Sequence, residues 1–481
     1  MLFGTDGIRG VASYFFKKKL AYYAGKAAAY DGAAKKVVVG RDTRESGQAI
    51  EDELIRGLAD GGAAVYRLGI APTMTVAELV RDTGADYGIV ISASHNPPEY
   101  NGIKIFGATG EKLSEDEENE IESRILDFWN TPQCEISGNT PQDEASGNTP
   151  QDGINGNTLV GDDAFIVPYP KKGEISELFD ARERYRERIF ARFKPDLRGC
   201  NIKLDCCFGA CSVYAPEIFR AAGANVTALN AKCDGKRINV GCGSTNIGYL
   251  KAHMSNSDFI GCAFDGDGDR MLAVTPDGFV ADGDSILYVL TLYFRRLGIL
   301  KHNAVVGTQM SNLGFERALN ELGVELIRTN VGDKYVIEKM KECGYVLGGE
   351  TSGHIILNEN GGGGTGDGIL AALTYAKALK SMLIYPYEIA SLYRAYPQKT
   401  LNLRAPVGIK EKVAGDGSLN ALRELCEESM GSRGRILIRP SGTEDKLRIT
   451  AEAETEKAVD DALEILGEEY GKAIEKLRVE S

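Results

Sequence analysis

The chain has 481 residues, 43% of them hydrophobic and 26% charged, with 56 Lys and Arg against 69 Asp and Glu. At roughly 100–200 residues per domain this length predicts three or four domains, with apolar surface enough for each to have a core. A formal net charge of −13 argues against general affinity for nucleic acid or an anionic membrane, so any anionic ligand needs cations and backbone amides concentrated locally.

The opening residues, Met1 to Asp6, carry no charged segment followed by an apolar one. No stretch of roughly 18 apolar residues occurs either. The expectation is a cytoplasmic protein, monomeric or homodimeric, with no membrane partner.

Residues 36–40 (KVVVG) predict a strand, 50–61 a helix and 87–92 (YGIVIS) a second strand. Apolar strands of this kind belong in a parallel sheet covered on both faces. Directly after the second strand come Ser92-Ala93-Ser94-His95-Asn96-Pro97 and then Asn101-Gly102-Ile103-Lys104. Loops at strand ends are where α/β proteins bind ligands. Ser94 can serve there as a nucleophile or carry a phosphoryl group, and Lys104 can offset phosphate charge or move a proton. A plain Ser/Asn/Pro turn is the reading without chemistry.

From Asn130 the sequence runs NTPQCEISG, NTPQDEASG, NTPQDGING, a nine-residue repeat in three copies ending near Asn157. Rich in Asn, Pro, Gly and Ser, it can bury little, and a surface insertion without chemistry is expected.

The α/β rhythm resumes with a strand at 201–205 and a helix at 214–222. Cys200, Cys206, Cys207, Cys211, Cys233, Cys242 and Cys262 cluster in this part of the chain. They lack the paired spacing of a zinc site and predict buried free thiols. The apolar run 259–264 ends in Asp265-Gly266-Asp267-Gly268-Asp269-Arg270. Three carboxylates at alternate positions can converge on a hard cation, Mg²⁺ or Ca²⁺ rather than zinc. An EF-hand would need Glu at its twelfth position, where Pro276 stands. Three carboxylates leave room for a phosphate oxygen, which suits Mg²⁺ in phosphoryl transfer; a metal-free Asp/Gly turn is the alternative.

A strand at 304–307 and a helix at 313–322 precede Gly348-Gly349-Glu350-Thr351-Ser352-Gly353-His354. Glycines there let the backbone approach a ligand while Glu350 and Ser352 meet hydroxyls. His354 can transfer a proton, although a histidine after a turn is often only structural. The chain closes with a strand at 435–438, the loop Arg439-Pro440-Ser441-Gly442-Thr443-Glu444, a strand at 446–452 and a helix over about 456–475. A guanidinium, hydroxyls and a glycine-freed backbone make a phosphate cradle, or else a hairpin turn with solvated charges. The series reads as three α/β units and a smaller α+β domain.

Together and in this order, the four loops resemble the α-D-phosphohexomutase superfamily, and the resemblance covers the chain outside the repeat. It implies an α/β fold, three similar α/β domains with mixed sheets plus a C-terminal α+β domain, around a central cleft. The divisions fall at 1–172, 173–280, 281–392 and 393–481, each domain giving one loop. It also implies a mechanism. Phosphorylated Ser94 donates its phosphoryl group to a phosphosugar, and a hexose or hexosamine 1,6-bisphosphate reorients and returns its other phosphate to Ser94. By this likeness Asp265, Asp267 and Asp269 hold one Mg²⁺ together with phosphorylated Ser94. Glu350 and Ser352 bind the sugar, while Arg439, Ser441, Gly442 and Thr443 grip the phosphate not being transferred. Arg9, Lys104, Arg270 and His354 match positions that aid binding, charge stabilisation or proton transfer.

Within the superfamily, Phe3-Gly4-Thr5-Asp6-Gly7-Ile8-Arg9-Gly10, Met310-Ser311-Asn312-Leu313-Gly314, Val331-Gly332-Asp333-Lys334-Tyr335 and Ser441-Gly442-Thr443 are similar to the phosphoglucosamine mutase branch. That likeness implies interconversion of glucosamine 6-phosphate and glucosamine 1-phosphate. Three features depart from it. Thr351 stands where the branch has Gln, and Asp445 stands where the superfamily has Pro. Pro97-Pro98-Glu99-Tyr100 is more similar to glucomutase and mannomutase relatives, which makes glucose or mannose phosphates the alternative substrates.

Overall fold

In the computed structural model, which describes residues 2–4, 6–17, 19–32, 35–130, 173–358, 364–431, 434–441 and 445–480, the strands sort into four sheets. The first holds β1 (Phe3–Gly4), β2 (Gly7–Val11), β3 (Lys36–Arg41), β4 (Ala64–Ile70), β5 (Tyr87–Ile91), β6 (Tyr100–Phe106) and β7 (Ile175–Glu177), in the order β1-β2-β6-β5-β3-β4-β7. The second holds β8 (Asn201–Asp205), β9 (Asn225–Leu229), β10 (Ile260–Phe264), β11 (Met271–Val274) and β12 (Val280–Ala281), in the order β12-β11-β10-β8-β9. The third holds β13 (Ala304–Thr308), β14 (Glu325–Thr329), β15 (Leu347–Gly349) and β16 (Ile355–Leu357), in the order β14-β13-β15-β16. The last is antiparallel throughout: β17 (Gln398–Arg404), β18 (Arg435–Pro440) and β19 (Lys446–Glu452), with β19 in the middle.

The two apolar strands read from the sequence in the first unit, β3 and β5, pair in parallel as expected, β4 and β7 extend the parallel part, and the rest makes the sheet mixed. β5–β6, β2–β6 and β1–β2 are antiparallel. The reason is connection length. A parallel partner needs a crossover of a dozen or more residues, whereas 92–99 suffice only to turn the chain back on itself. The same geometry recurs in every unit and places the whole site. β5–β6 enclose residues 92–99, β10–β11 enclose 265–270, β15–β16 enclose 350–354 and β18–β19 enclose 441–445. Each candidate loop is the turn of an antiparallel pair.

Packing follows the sequence pattern. The helix Gly283–Arg296 buries Ile286, Leu287, Tyr288, Val289 and Leu290 in one unbroken run. A helix apolar on all sides must be covered all round, and it packs against the helix Gly368–Met382 in a core shared by the first three units. The fourth sheet has one covered face. Leu447, Ile449 and Ala451 alternate inward along β19, beneath Val459, Ala462, Leu466, Tyr470 and Ile474 of the helix Glu456–Glu480. Each large side chain buried this way contributes about 1.5–3 kcal/mol.

Seven described cysteines are buried free thiols: Cys200, Cys206, Cys207, Cys211, Cys242, Cys262 and Cys426. Cys233 is exposed instead. Burial pushes the Cys262 thiol up to about 12, which leaves it unreactive at neutral pH. Among the described residues no helix is long and apolar enough to cross a membrane. The tandem repeat beyond Asn130 lies outside the described residues.

Candidate active site

Ser94 is fully buried and takes a left-handed backbone at φ +50°. For a residue with a Cβ that conformation costs about 1–2 kcal/mol, so the surroundings must hold it. Its N–H donates to Ser92 Oγ (2.8 Å), and Ser92 Oγ donates to Asp42 Oδ2 (2.7 Å). Asp42 pairs with Arg44 at 2.9 Å, both side chains fully buried. Arg44 then donates to the carbonyls of Ser94 (2.9 Å), Asn96 (2.8 Å), Tyr100 (2.9 Å) and Pro97. Asn239 adds bonds from the second unit to Ser94 O (2.8 Å) and Asn96 O (3.0 Å). With its backbone fixed, Ser94 directs its Oγ–H at Asp265 Oδ2, 2.6 Å away. His95 Nδ1 lies 3.4 Å from the same Oγ. Burial, with Arg270 and Arg9 nearby, brings the His95 imidazole down to about 4, so the ring beside Ser94 is neutral.

Asp265, Asp267 and Asp269 are all buried, with one carboxylate oxygen of each within 4.8 Å of the others. Burial and the two neighbouring carboxylates push the Asp265 carboxyl well above its usual range. Burial alone would raise Asp269 too, but Lys104, His354 and Arg270 hold it well below. Lys104 Nζ lies 2.8 Å from Asp267, 2.9 Å from Asp269 and 3.0 Å from Asp6. Thr73 donates to Asp267 Oδ2 at 2.8 Å. The remaining oxygens Asp267 Oδ1 and Asp269 Oδ1 are buried without a hydrogen-bond partner. Orphaned carboxylate oxygens beside a serine hydroxyl fit a small hard cation that takes oxygen ligands only, and Mg²⁺ satisfies that donor set.

Arg9 donates to Asp6 and to the carbonyl of Ala93 (3.5 Å), which places it on the serine loop. Arg270 donates its backbone N–H to Asp265 (3.1 Å), and its guanidinium lies 3.9 Å from Asp269. His354 is buried, with Nδ1 3.8 Å from Asp269 and Nε2 3.4 Å from Asp333. Burial opposes charge on this ring while Asp269 and Asp333 favour it, and the net pull is upward. Yet the Gly366 N–H donates to Nε2 at 3.0 Å and needs a lone pair there. A neutral ring with its proton on Nδ1, on the Asp269 side, leaves Nε2 to accept that bond. Asp333 is held in turn by Lys112, whose Nζ lies 2.6 Å from both Asp333 and Asp6. Charges of alternating sign run from Asp333 through Lys112, Asp6 and Lys104 to Asp269, and the neutral His354 ring lies between the two end carboxylates.

In the third loop Glu350 Oε1 accepts the Gly332 N–H at 3.1 Å, and Ser352 is exposed. In the fourth, Arg439 and Arg448 are directly opposed across β18–β19, two like charges on one face. Burial and Arg448 lower the Arg439 guanidinium, whose Nε is buried without a hydrogen bond and whose Nη2 meets Met310 Sδ at 3.3 Å. Opposed guanidiniums repel one another unless an anion lies between them. Ser441 N–H closes the turn onto Lys446 O at 2.8 Å. Gly442 and Thr443 lie outside the described residues.

The structure therefore brings Arg9, Ser94, Lys104, the three aspartates, Arg270 and His354 into one cluster. Arg439 and Ser441 are placed by contacts within the fourth sheet and to Met310. Sequence reasoning missed Asp6, Asp42, Arg44, Lys112, Asn239 and Asp333. One signal for two of them was available: Asp42-Thr43-Arg44 directly follows a buried apolar strand, where charge needs a reason.

Comparisons agree with this geometry. Residues 1–128 match the family model described as phosphoglucomutase/phosphomannomutase, alpha/beta/alpha domain I. Residues 282–396 match domain III of the same family and 402–466 its C-terminal domain. A phosphoglucosamine mutase of Anoxybacillus flavithermus is 38% identical over 98% of this chain and 99% of its own. One of Caldanaerobacter subterraneus subsp. tengcongensis is 41% identical over 94% of this chain and 95% of its own. Among solved structures, a phosphoglucomutase/phosphomannomutase family protein of Burkholderia thailandensis has the same fold with TM-score 0.74 at 23% identity, covering 97% of both chains. The Aspergillus fumigatus N-acetylphosphoglucosamine mutase, solved with GlcNAc-6P and magnesium, has TM-score 0.65 at 17% identity, covering 98% of this chain and 96% of its own.

Proposed function

The chain belongs to the phosphoglucomutase/phosphomannomutase family, and from that premise we propose that it interconverts glucosamine 6-phosphate and glucosamine 1-phosphate through a phosphoserine at Ser94. The observation that carries the chemistry is the 2.6 Å contact from Ser94 Oγ to Asp265, at the edge of the buried carboxylate cluster. The sugar follows from the phosphoglucosamine mutases that are 38% and 41% identical.

Asp265, Asp267 and Asp269, with an oxygen of phosphorylated Ser94, would hold Mg²⁺. When bound, the ion neutralises charge on the transferring phosphoryl group. The chain's own residues do the rest. Ser94 carries the phosphoryl group, and its Oγ–P bond breaks as the oxygen of a sugar hydroxyl bonds to phosphorus. Lys104, Arg9 and Arg270 oppose the negative charge spread over the phosphoryl oxygens. His354 takes the hydroxyl proton on Nε2, giving up its Gly366 contact to do so, and returns it in the reverse transfer. Glu350 and Ser352 hold sugar hydroxyls, and Arg439, Ser441, Gly442 and Thr443 grip the other phosphate. The intermediate is the hexosamine 1,6-bisphosphate, which turns end for end so that either phosphate can return to Ser94. Added bisphosphate is then an activator, because it rephosphorylates a serine that has lost its group.

The test is a substrate panel. kcat/KM for glucosamine 6-phosphate should exceed that for glucose and mannose 6-phosphates by at least about tenfold. A preference for glucose or mannose phosphate would make the chain a phosphoglucomutase or phosphomannomutase of the same family.

A further inference from the structure

Thr351 sits between the two sugar-loop residues Glu350 and Ser352, yet its hydroxyl does not serve as one of the loop's proposed sugar contacts. It donates to Asp284 Oδ2 at 3.2 Å. Asp284 is fully buried, near the start of the helix Gly283–Arg296, and its Oδ2 also accepts the Asn312 N–H at 2.7 Å. Its other oxygen is buried with no hydrogen-bond partner. The neighbouring Gly283 donates its N–H to Thr351 O at 3.0 Å. Gly283 is pressed so closely under the loop that a Cβ there would lie 1.9 Å from the Glu350 carbonyl oxygen. The helix start is thus seated directly beneath the sugar loop.

On the far side, the same carboxylate holds the segment from which the fourth sheet hangs. The Asn312 side chain clasps Tyr396 by both backbone groups, donating to its carbonyl (2.9 Å) and accepting its N–H (2.8 Å), just before β17 begins. Leu313 N–H donates to Glu452 Oε1 (2.6 Å) at the end of β19. Arg435, at the start of β18, donates to Ser311 O. All three strands of the fourth sheet are therefore anchored on residues 311–313.

We propose that Asp284 is a positioning residue for the mutase reaction, setting the sugar loop through Thr351 and holding it in register with the anchor of the phosphate-gripping sheet through Asn312. A bisphosphate that must fit the cleft in two orientations needs a fixed span between sugar loop and phosphate cradle, and a shared buried carboxylate supplies it. A buried acceptor that satisfies two donors on separate segments ties them together, since moving either one leaves a polar group unpaired. Thr351 then acts through Asp284, which distinguishes it from the two residues that flank it. The inference rests on reading Glu350 and Ser352 as sugar-binding.

The test measures steady-state kinetics with glucosamine 6-phosphate on the full chain. Thr351→Val removes one hydroxyl without changing volume. It should raise KM about fivefold or more with a smaller change in kcat, as loss of a single buried hydrogen bond predicts. Thr351→Ser keeps the hydroxyl and should stay within about twofold of wild type, a rescue that general loosening of the loop would not give. Asn312→Ala combined with Thr351→Val should raise KM by less than the product of the separate factors, because both act on one chain of contacts. Asp284→Asn retains an acceptor oxygen and should be milder than Thr351→Val, whereas Asp284→Ala should be at least as severe. If Asp284→Ala fails to fold, the Thr351 and Asn312 variants still decide. Glu350→Ala is the control for the sugar loop itself. If Glu350→Ala leaves KM unchanged, the sugar-loop reading falls and the inference with it. If Glu350→Ala raises KM while Thr351→Val does not, or if the Thr351 and Asn312 effects multiply in full, the positioning role of Asp284 alone is overturned.

Discussion

The Arg44 guanidinium donates to the Ser94 carbonyl at 2.9 Å, so the one residue asked to carry a phosphoryl group is held from behind by a fully buried cation. Arg44 also bonds the carbonyls of Asn96, Pro97 and Tyr100 and pairs with Asp42. Arg44→Met should therefore cost about 3–5 kcal/mol of stability, because it strands the buried Asp42 carboxylate. Asp42→Asn combined with Arg44→Met should cost less than Arg44→Met alone. Urea denaturation of wild type and the two variants checks both statements, and kcat should fall in step with loss of the serine-loop geometry.

Much of this was legible from residues near one another in sequence. Asp265, Asp267 and Asp269 are alternate residues of one turn, so the sequence itself brings them together. Strands 201–205 and 446–452 fall where their apolar pattern predicts. Contacts that cross between elements were not legible. Lys112 meets Asp333 and Tyr185 meets Asp367 only after separate units have packed. The antiparallel strand β6 was not legible for a related reason: apolar content reports burial on both faces, and β5 and β6 are buried whichever way they run.

The orphaned oxygens of Asp267 and Asp269 lead to a metal prediction. EDTA should abolish turnover and Mg²⁺ should restore it. Asp267→Asn should raise the Mg²⁺ concentration for half-maximal rate by about tenfold or more, since one anionic ligand is lost. Undiminished activity in excess chelator would remove the metal from the account.

Arg439 faces Arg448 across β18–β19 with its Nε buried and unbonded. If an anionic phosphate relieves that pair, Arg439→Ala loses a charge-assisted hydrogen bond of about 1.5–3 kcal/mol. KM for the sugar monophosphate should rise by about 10- to 100-fold, and inhibition by free inorganic phosphate should weaken in parallel.

The Asp367 carboxyl accepts the Tyr185 hydroxyl at 2.7 and 2.8 Å and the Leu370 N–H at 2.9 Å, with the Glu78 carboxylate contributing repulsion. Burial raises it from 3.8 to about 6. Between about pH 4 and 6 the folded chain therefore holds a proton that the unfolded chain has released, and stability falls as pH rises through that window. Below it both states are protonated, and above it both are ionised and the loss is constant. Asp367→Asn removes this slope. Relative to that variant, wild type should lose about 2 kcal/mol between pH 4 and 7, measured by denaturation at each pH. A pH-independent difference would mean that the carboxyl titrates normally.

The central claim is that Ser94 is the phosphoryl carrier, and mass spectrometry with turnover on wild type and Ser94→Ala tests it most directly. After incubation with hexosamine 1,6-bisphosphate, wild type should carry one phosphate, located at Ser94. Ser94→Ala should carry none and should lose kcat by at least about a thousandfold. A Ser94→Ala variant that turns over at the wild-type rate, or that takes up its phosphate on another residue, would contradict it.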